Sequence, residues 1–227
     1  MEIDKEARGF KIWSALVIVG IVMICIVLAF LPFWESIFLK MKKSAMNYSQ
    51  LRVNTPENTS IVYIDGKIKG ETKEGTLLVT GITPGKHSIR IERKSSIPGF
   101  YIPFEKEVNF EDGVEIEIQW VAGPTTESSE GVLKYFKRQA VSTDFTTVNF
   151  IVYPPDAQIS WDGKVLESGS YQISVVDDKN HELLISSEGF ETKKVNLKVE
   201  NAIRERHLDV VVEVYLYRIP VLTLVNN

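Results

Sequence analysis

Val114-Glu115-Ile116-Glu117-Ile118-Gln119-Trp120 alternates without a break, with Val, Ile, Ile and Trp on one side and Glu, Glu and Gln on the other. Period two is the repeat of an extended strand with one face in a core and the other in water. His87-Ser88-Ile89-Arg90-Ile91-Glu92, Val195-Asn196-Leu197-Lys198-Val199 and Val210-Val211-Val212-Glu213-Val214-Tyr215-Leu216 read the same way. Between such runs stand turn signals: Asp65-Gly66, Thr83-Pro84-Gly85, Pro98-Gly99, Glu111-Asp112-Gly113, Asp162-Gly163 and Asp177-Asp178. Short strands with frequent turns predict an all-β architecture of antiparallel sandwich or barrel type, not a crossover sheet.

Superposing the turn signals brings out an internal repeat. Ile61-Val62-Tyr63-Ile64-Asp65-Gly66-Lys67 matches Ala157-Gln158-Ile159-Ser160-Trp161-Asp162-Gly163-Lys164 as a strand running into an Asp-Gly hairpin turn. The glycine supplies the positive φ that a tight two-residue turn requires. Gly85-Lys86-His87-Ser88-Ile89-Arg90-Ile91 then corresponds to Lys179-Asn180-His181-Glu182-Leu183-Leu184-Ile185, and Gly99-Phe100 to Gly189-Phe190. Glu105-Lys106-Glu107-Val108-Asn109-Phe110 meets Thr192-Lys193-Lys194-Val195-Asn196-Leu197. Four landmarks in one order predict two copies of one small β-domain.

Ahead of the repeat, Ile12–Trp34 is a run of 23 residues with no Asp, Glu, Lys or Arg, broken only by Ser14 and Gly20 before Pro32. A helix of that length covers about 35 Å, enough to cross roughly 30 Å of hydrocarbon with some tilt. Its 14 Ile, Leu, Val and Phe residues favour insertion by about 4–8 kcal/mol. Trp13, Phe33, Trp34 and Phe38 suit the two interfacial belts. The run is too long for a signal peptide and offers no small-x-small cleavage site. Ile24 before Cys25 speaks against a lipoprotein anchor. An uncleaved single span is expected, followed by a basic stalk around Lys40, Lys42 and Lys43. Lys5, Arg8 and Lys11 on one side and Lys40, Lys42, Lys43 and Arg52 on the other give nearly a tie under the positive-inside rule, tilted slightly toward a cytoplasmic C-terminal part.

Charge narrows the partners. Residues 53–120 carry 11 acids against 8 bases and residues 148–227 carry 12 against 8, so neither segment has the basic excess that polyphosphate binding needs. Nucleic acid is not an expected partner. Cys25 is the only cysteine, which leaves no intrachain disulfide and no thiolate metal site outside the span.

Little here points to catalysis. His87 and His181 occupy equivalent repeat positions at strand starts, which favours a structural role over a metal or catalytic one, and His207 stands alone. Asp65 and Asp162 are explained by their turns. Asp177-Asp178 reads as a solvated turn, since no oxygen-ligand loop of calcium spacing surrounds it. Phosphate-loop, His-Glu-x-x-His and Gly-x-Ser-x-Gly patterns are absent. Pro98-Gly99-Phe100-Tyr101-Ile102-Pro103-Phe104, a turn loaded with aromatics, is the leading surface candidate. Its plainer reading is a loop whose Phe100 and Phe104 cap the core. Asn58-Thr59-Ser60 fits a glycosylation sequon.

The order Thr55-Pro56-Glu57-Asn58, Val62-Tyr63-Ile64-Asp65-Gly66-Lys67, Gly70-Glu71-Thr72, Ile82-Thr83-Pro84-Gly85-Lys86-His87-Ser88-Ile89 and Gly99-Phe100 resembles the PEGA domain, a β-strand module of prokaryotic surface and envelope proteins. Tyr153-Pro154-Pro155-Asp156-Ala157 opens a second, more divergent copy, without a Gly-x-Thr-Pro between Leu166 and Ser170. The resemblance implies display or binding at the cell envelope, not turnover, with the β-domains outside the cytoplasm.

The expected organisation is an N-terminal tail (1–11), a transmembrane helix (12–34), a basic juxtamembrane stalk (35–52), a first PEGA-like β-domain (53–120), a linker (121–147), a second PEGA-like β-domain (148–218) and a C-terminal tail (219–227). The fold class is all-β, with two tandem small antiparallel β-sandwich domains behind one transmembrane α-helix. Within the linker, Leu133–Arg138 reads as a short helix or as an extended segment docked on either domain. In the tail, Ile219–Val225 suits one more strand, at an edge because of Pro220. The expected partners are the lipid bilayer and an envelope protein or cell-wall polymer. No residue is assigned to catalysis, a metal or a cofactor, and the sequence does not name the binding residues. A subunit of a membrane signalling or assembly complex and a β-scaffold hydrolase are the competing readings.

Overall fold

A computed structural model describes residues 48–56, 58–166 and 171–220. The expected membrane helix, the stalk up to residue 47 and most of the C-terminal tail, 221–227, lie outside the described residues. Asn47–Asn227 cluster as a single unit.

The first half runs β1 (Ser49–Asn54), β2 (Ser60–Ile64), β3 (Lys67–Glu71), β4 (Thr76–Ile82), β5 (Gly85–Arg93), β6 (Phe104–Phe110) and β7 (Glu115–Val121). After β8 (Glu130–Arg138), the second half repeats the order as β9 (Thr146–Tyr153), β10 (Gln158–Trp161), β11 (Lys164–Val165), β12 (Gln172–Val175), β13 (Asn180–Ser186), β14 (Lys193–Lys198) and β15 (Leu208–Tyr215). A five-residue helix, α1 (Asn201–Glu205), precedes β15. The chain is therefore all-β, and each strand of one half has its counterpart in the other.

Two features depart from a pair of separate antiparallel sandwiches. First, β1 pairs β7 in parallel, from Gln50 opposite Glu115 to Asn54 opposite Gln119, and β9 pairs β15 in parallel from Val210 opposite Val148 to Tyr215 opposite Tyr153. The first and last strands of each half lie side by side, with the small sheet of that half serving as the long crossover that a parallel pair needs. The sheet is mixed, a correction to the wholly antiparallel expectation. Second, β8 lies inside the 121–147 segment read as a linker. It pairs antiparallel with β7 on one side and β15 on the other, producing one seven-stranded sheet in the order β12-β9-β15-β8-β7-β1-β4.

That sheet has a core on each face. Alternate residues of β8 divide between them: Leu133 and Tyr135 pack with Leu51, Val53, Ile116 and Ile118, whereas Phe136 packs with Val148, Phe150, Val210 and Val212. The sheet β3-β2-β5-β6 closes the first core through Val62, Ile89, Ile91 and Val108. The sheet β11-β10-β13-β14 closes the second through Ile159, Leu183, Ile185 and Leu197. The two halves thus sit back to back, related by a half-turn about β8, which keeps strand direction and exchanges faces. Each fully buried Ile or Leu contributes about 1.5–3 kcal/mol, and β8 and β15 contribute to both cores.

The boundaries shift accordingly. β1 begins at Ser49, within the span read as stalk, because Ser49, Leu51 and Val53 all point inward. The only part of the C-terminal tail among the described residues does not extend the large sheet. Tyr217 and Ile219 bond backbone to backbone with Glu191 and Gly189, beside an isolated bridge of Arg218 to Phe190.

Candidate functional site

The strand directions sort the loops into two groups. At one end lie the start of β1, the Asp65 and Asp162 turns and the segments leading into β5, β7, β13 and β15. At the other lie the β1–β2, β5–β6, β7–β8 and β9–β10 loops and residues 217–220. The chain enters the sheet at the first end and leaves it at the second.

At the first end the same clasp is built twice. Asp65 and Asp162 sit at φ 51° and 49°, each followed by a positive-φ glycine, as a two-residue hairpin turn requires. This conformation aims each carboxylate back at the start of the next long strand. Asp65 accepts from His87 Nδ1 at 2.7 Å and from the Ser88 amide at 3.0 Å. Asp162 accepts from His181 Nδ1 at 2.8 Å and from the Glu182 amide at 2.9 Å. These bonds, with the histidine contact the larger, hold both carboxyls below their ordinary range. The other ring nitrogen differs between halves: His87 Nε2 meets the Thr83 carbonyl oxygen at 2.8 Å, His181 Nε2 the Asp177 carboxylate at 2.9 Å. Asp177 is also held low: desolvation pushes it up, and its contacts with His181 and Lys179 together outweigh that push. Asp177 thus ties a turn together. Both nitrogens of each ring thus have a protein partner within hydrogen-bond distance. His87 leans edge-on against Phe110 and His181 stacks on Trp161. His207 has φ 52° at the turn into β15.

At the second end the β5–β6 loop, residues 94–103, is the feature without a structural explanation. Pro98-Gly99 turns it, with Gly99 at φ 71° and the Phe100 amide donating to the Ile97 carbonyl at 3.3 Å. Ile102 anchors it to the β7–β8 loop by donating to the Gly123 carbonyl at 3.0 Å. Phe104 caps the core at 5% exposure, against Trp120. Phe100 does not: it stands 45% exposed between Ile97 at 59% and Ile102 at 41%. The candidate loop thus splits, with one aromatic inward and three apolar side chains in water. Beneath them Arg93 lies 3.8 Å over the Tyr101 ring and donates to the Ala122 carbonyl at 3.0 Å, with its Nε buried and unpaired. An open concavity of about 530 Å³ runs between this loop and Ile61, Glu92 and Arg93.

The first half therefore carries, in order, a buried β1, the Asp65 turn, Gly70-Glu71-Thr72 against β2 through the Thr72 hydroxyl and the Ser60 amide, and the clasped His87. Residues 48–122 match the PEGA domain family model. The match ends just past β7, so it covers all seven strands of the first half, and β8 to β15 lie outside it. Among curated proteins none matches. Among solved structures, a mutant of the shaft pilin SpaA from Lactobacillus rhamnosus GG is similar at 10% identity over 78% of this chain and 100% of that one, with a TM-score of 0.20, from which no shared fold follows.

One buried polar group was illegible in the sequence. Glu213 on β15 is fully buried, on the face that carries the first core. Lys106 of β6 donates to its Oε1 at 2.7 Å and lies equally close to Oε2, and the Tyr215 hydroxyl donates to Oε1 at 2.5 Å. Burial and then Glu213 push the Tyr135 hydroxyl up to about 12, and burial leads the upward shift of Tyr215. A residue of the first half is thereby fixed to the last strand of the second. In the strand alternation Glu213 read as a solvent-facing position.

Proposed function

We propose that this chain is a single-pass membrane protein of the prokaryotic cell envelope whose β-domains are displayed outside the cytoplasm and bind a protein or cell-wall polymer. The apolar run Ile12–Trp34 supports the anchor, and the PEGA match over residues 48–122 supports the display. The second half is read as a divergent copy of the first, on its equivalent strand order and repeated Asp–His clasp. Exposure of Ile97, Phe100 and Ile102 together in one loop is the observation that carries the binding role.

The β5–β6 loop is the contact surface in this reading, with Arg93 and Tyr101 as its rigid floor. Placing a photo-crosslinking residue at Phe100 in intact cells should capture an envelope component, and the same residue at Val165, an exposed position elsewhere, should not. Equal capture at both positions would sink the contact assignment. Protease treatment of intact cells carrying a tag after Asn227 tests the display separately: a protected tag means that the β-domains face the cytoplasm.

A further inference from the structure

We propose that the seven-stranded sheet is a mechanical clamp that carries tension along its strands between Tyr48 and Arg218. The geometry follows from the register. β1 starts at one end of the sheet and β15 finishes at the other, so pulling the chain at these two points draws β1 and β15 in opposite directions along their own axes. Neither strand is at an edge. β1 lies between β4 and β7, and β15 between β8 and β9.

Between them the load crosses three strand pairs in turn. It passes from β1 to β7 over Gln50–Asn54, from β7 to β8 over Glu117–Val121, and from β8 to β15 over Leu208–Tyr215. Force along the strands strains all the hydrogen bonds of a ladder together, whereas force across them opens a ladder one bond at a time from its edge. Each bond is worth only about 0.5–1.5 kcal/mol net, so simultaneous loading is what gives a short ladder resistance.

Side chains reinforce the loaded seams. Arg52 on β1 grips Glu115 on β7 with two bonds of 2.7 and 3.0 Å. Lys106 reaches from β6 to the buried Glu213 on β15, so the first half is tied to the exit strand outside the ladder as well. At the end where the chain enters, Arg206 donates to the carbonyls of both Asp112 and Gly113 at 2.8 Å, joining the segment before β15 to the segment before β7. The exposed tip of the β5–β6 loop lies at the exit end, so a partner held there also loads β1 lengthwise.

Forced unfolding is governed by the barrier to unfolding and not by equilibrium stability, so direction dependence is the signature to measure. The full-length chain, kept in detergent with Cys25→Ser, carries pulling handles at Tyr48→Cys and Ile219→Cys, both exposed positions. A second version carries them at Leu78→Cys on β4 and Gln172→Cys on β12, the two edges of the sheet. At equal loading rate the lengthwise pair should rupture at several times the force of the crosswise pair. Gln50→Pro, which removes the bond from the Gln50 amide to the Val114 carbonyl, should lower the lengthwise force by a larger fraction than the crosswise force, since only lengthwise pulling loads that ladder all at once. Equal forces in the two directions, or an equal drop in both on Gln50→Pro, overturn the proposal. The envelope reading supplies the source of tension, but the pulling experiment does not depend on it: a protected C-terminal tag rejects external display while leaving the clamp intact.

Discussion

The two halves of the molecule share a strand plan and differ in their loops, the β5–β6 connection among them. In the first half, residues 94–103 join β5 to β6 and hold Ile97, Phe100 and Ile102 in water. In the second, residues 187–192 make the equivalent connection, and Phe190 packs on the second core while Tyr217 and Ile219 bond to the backbone on either side of it. Gly99 and Gly189 have nearly the same φ, 71° and 78°, so the turn is common to both. What differs is the length and apolar content of the chain around it, together with the cover provided by the end of β15. One half is closed off at this loop and the other is left open.

The largest expected effect concerns β8, the strand the halves share. Leu133→Ala and Phe136→Ala each remove a side chain from a different core, so their costs of about 2–5 kcal/mol each should add. Chemical denaturation of either variant should show both halves melting in one transition. Two separated transitions would mean that the halves are independent, and the shared-strand account would be wrong.

Next in size is the Lys106–Glu213 pair. Lys106→Met leaves a buried carboxylate with only Tyr215 for company and should cost about 3–5 kcal/mol. Lys193, at the matching place on β14, pairs with the more accessible Glu130 at 2.9 Å, and Lys193→Met should cost about 1 kcal/mol or less. Equal losses in thermal unfolding would remove this asymmetry.

Acid gives a smaller contrast. Because Asp65, Asp162 and Asp177 are held below the ordinary carboxylate value in the folded chain, their contribution is complete above about pH 4, the unfolded value. It is lost as the pH falls through the lower folded values. His181 faces two such carboxylates and His87 one. Amide protection, corrected for the intrinsic exchange rate at each pH, should therefore fall more at Glu182 than at Ser88 as the pH drops below about 4. Smallest of all, Phe100→Ser should change stability by less than about 0.5 kcal/mol, as an exposed substitution. Phe190→Ser should be measurably destabilising.

Strict period-two runs such as Val114–Trp120 were readable because one face meets a core and the other meets water. The Asp-Gly turns were readable because only a few residues tolerate positive φ. β8 was not, since Val132-Leu133 and Tyr135-Phe136 fill both of its faces and erase the alternation on which the reading depends. The same two-sided burial explains Val210-Val211-Val212 and concealed Glu213, which the pattern assigned to solvent. At the candidate loop, composition identified Pro98–Phe104 but could not separate Phe104, which enters the core, from Phe100, which does not. That division depends on where Trp120 lies, and Trp120 is brought there by the pairing of β7 with β1 and β8.

The half-turn about β8 has one more outcome. Because it exchanges the faces of the sheet, the outer surfaces of the two small sheets look in opposite directions. A body resting against one flank therefore leaves the other clear. Two modules strung side by side on a flexible tether would have no such fixed opposition.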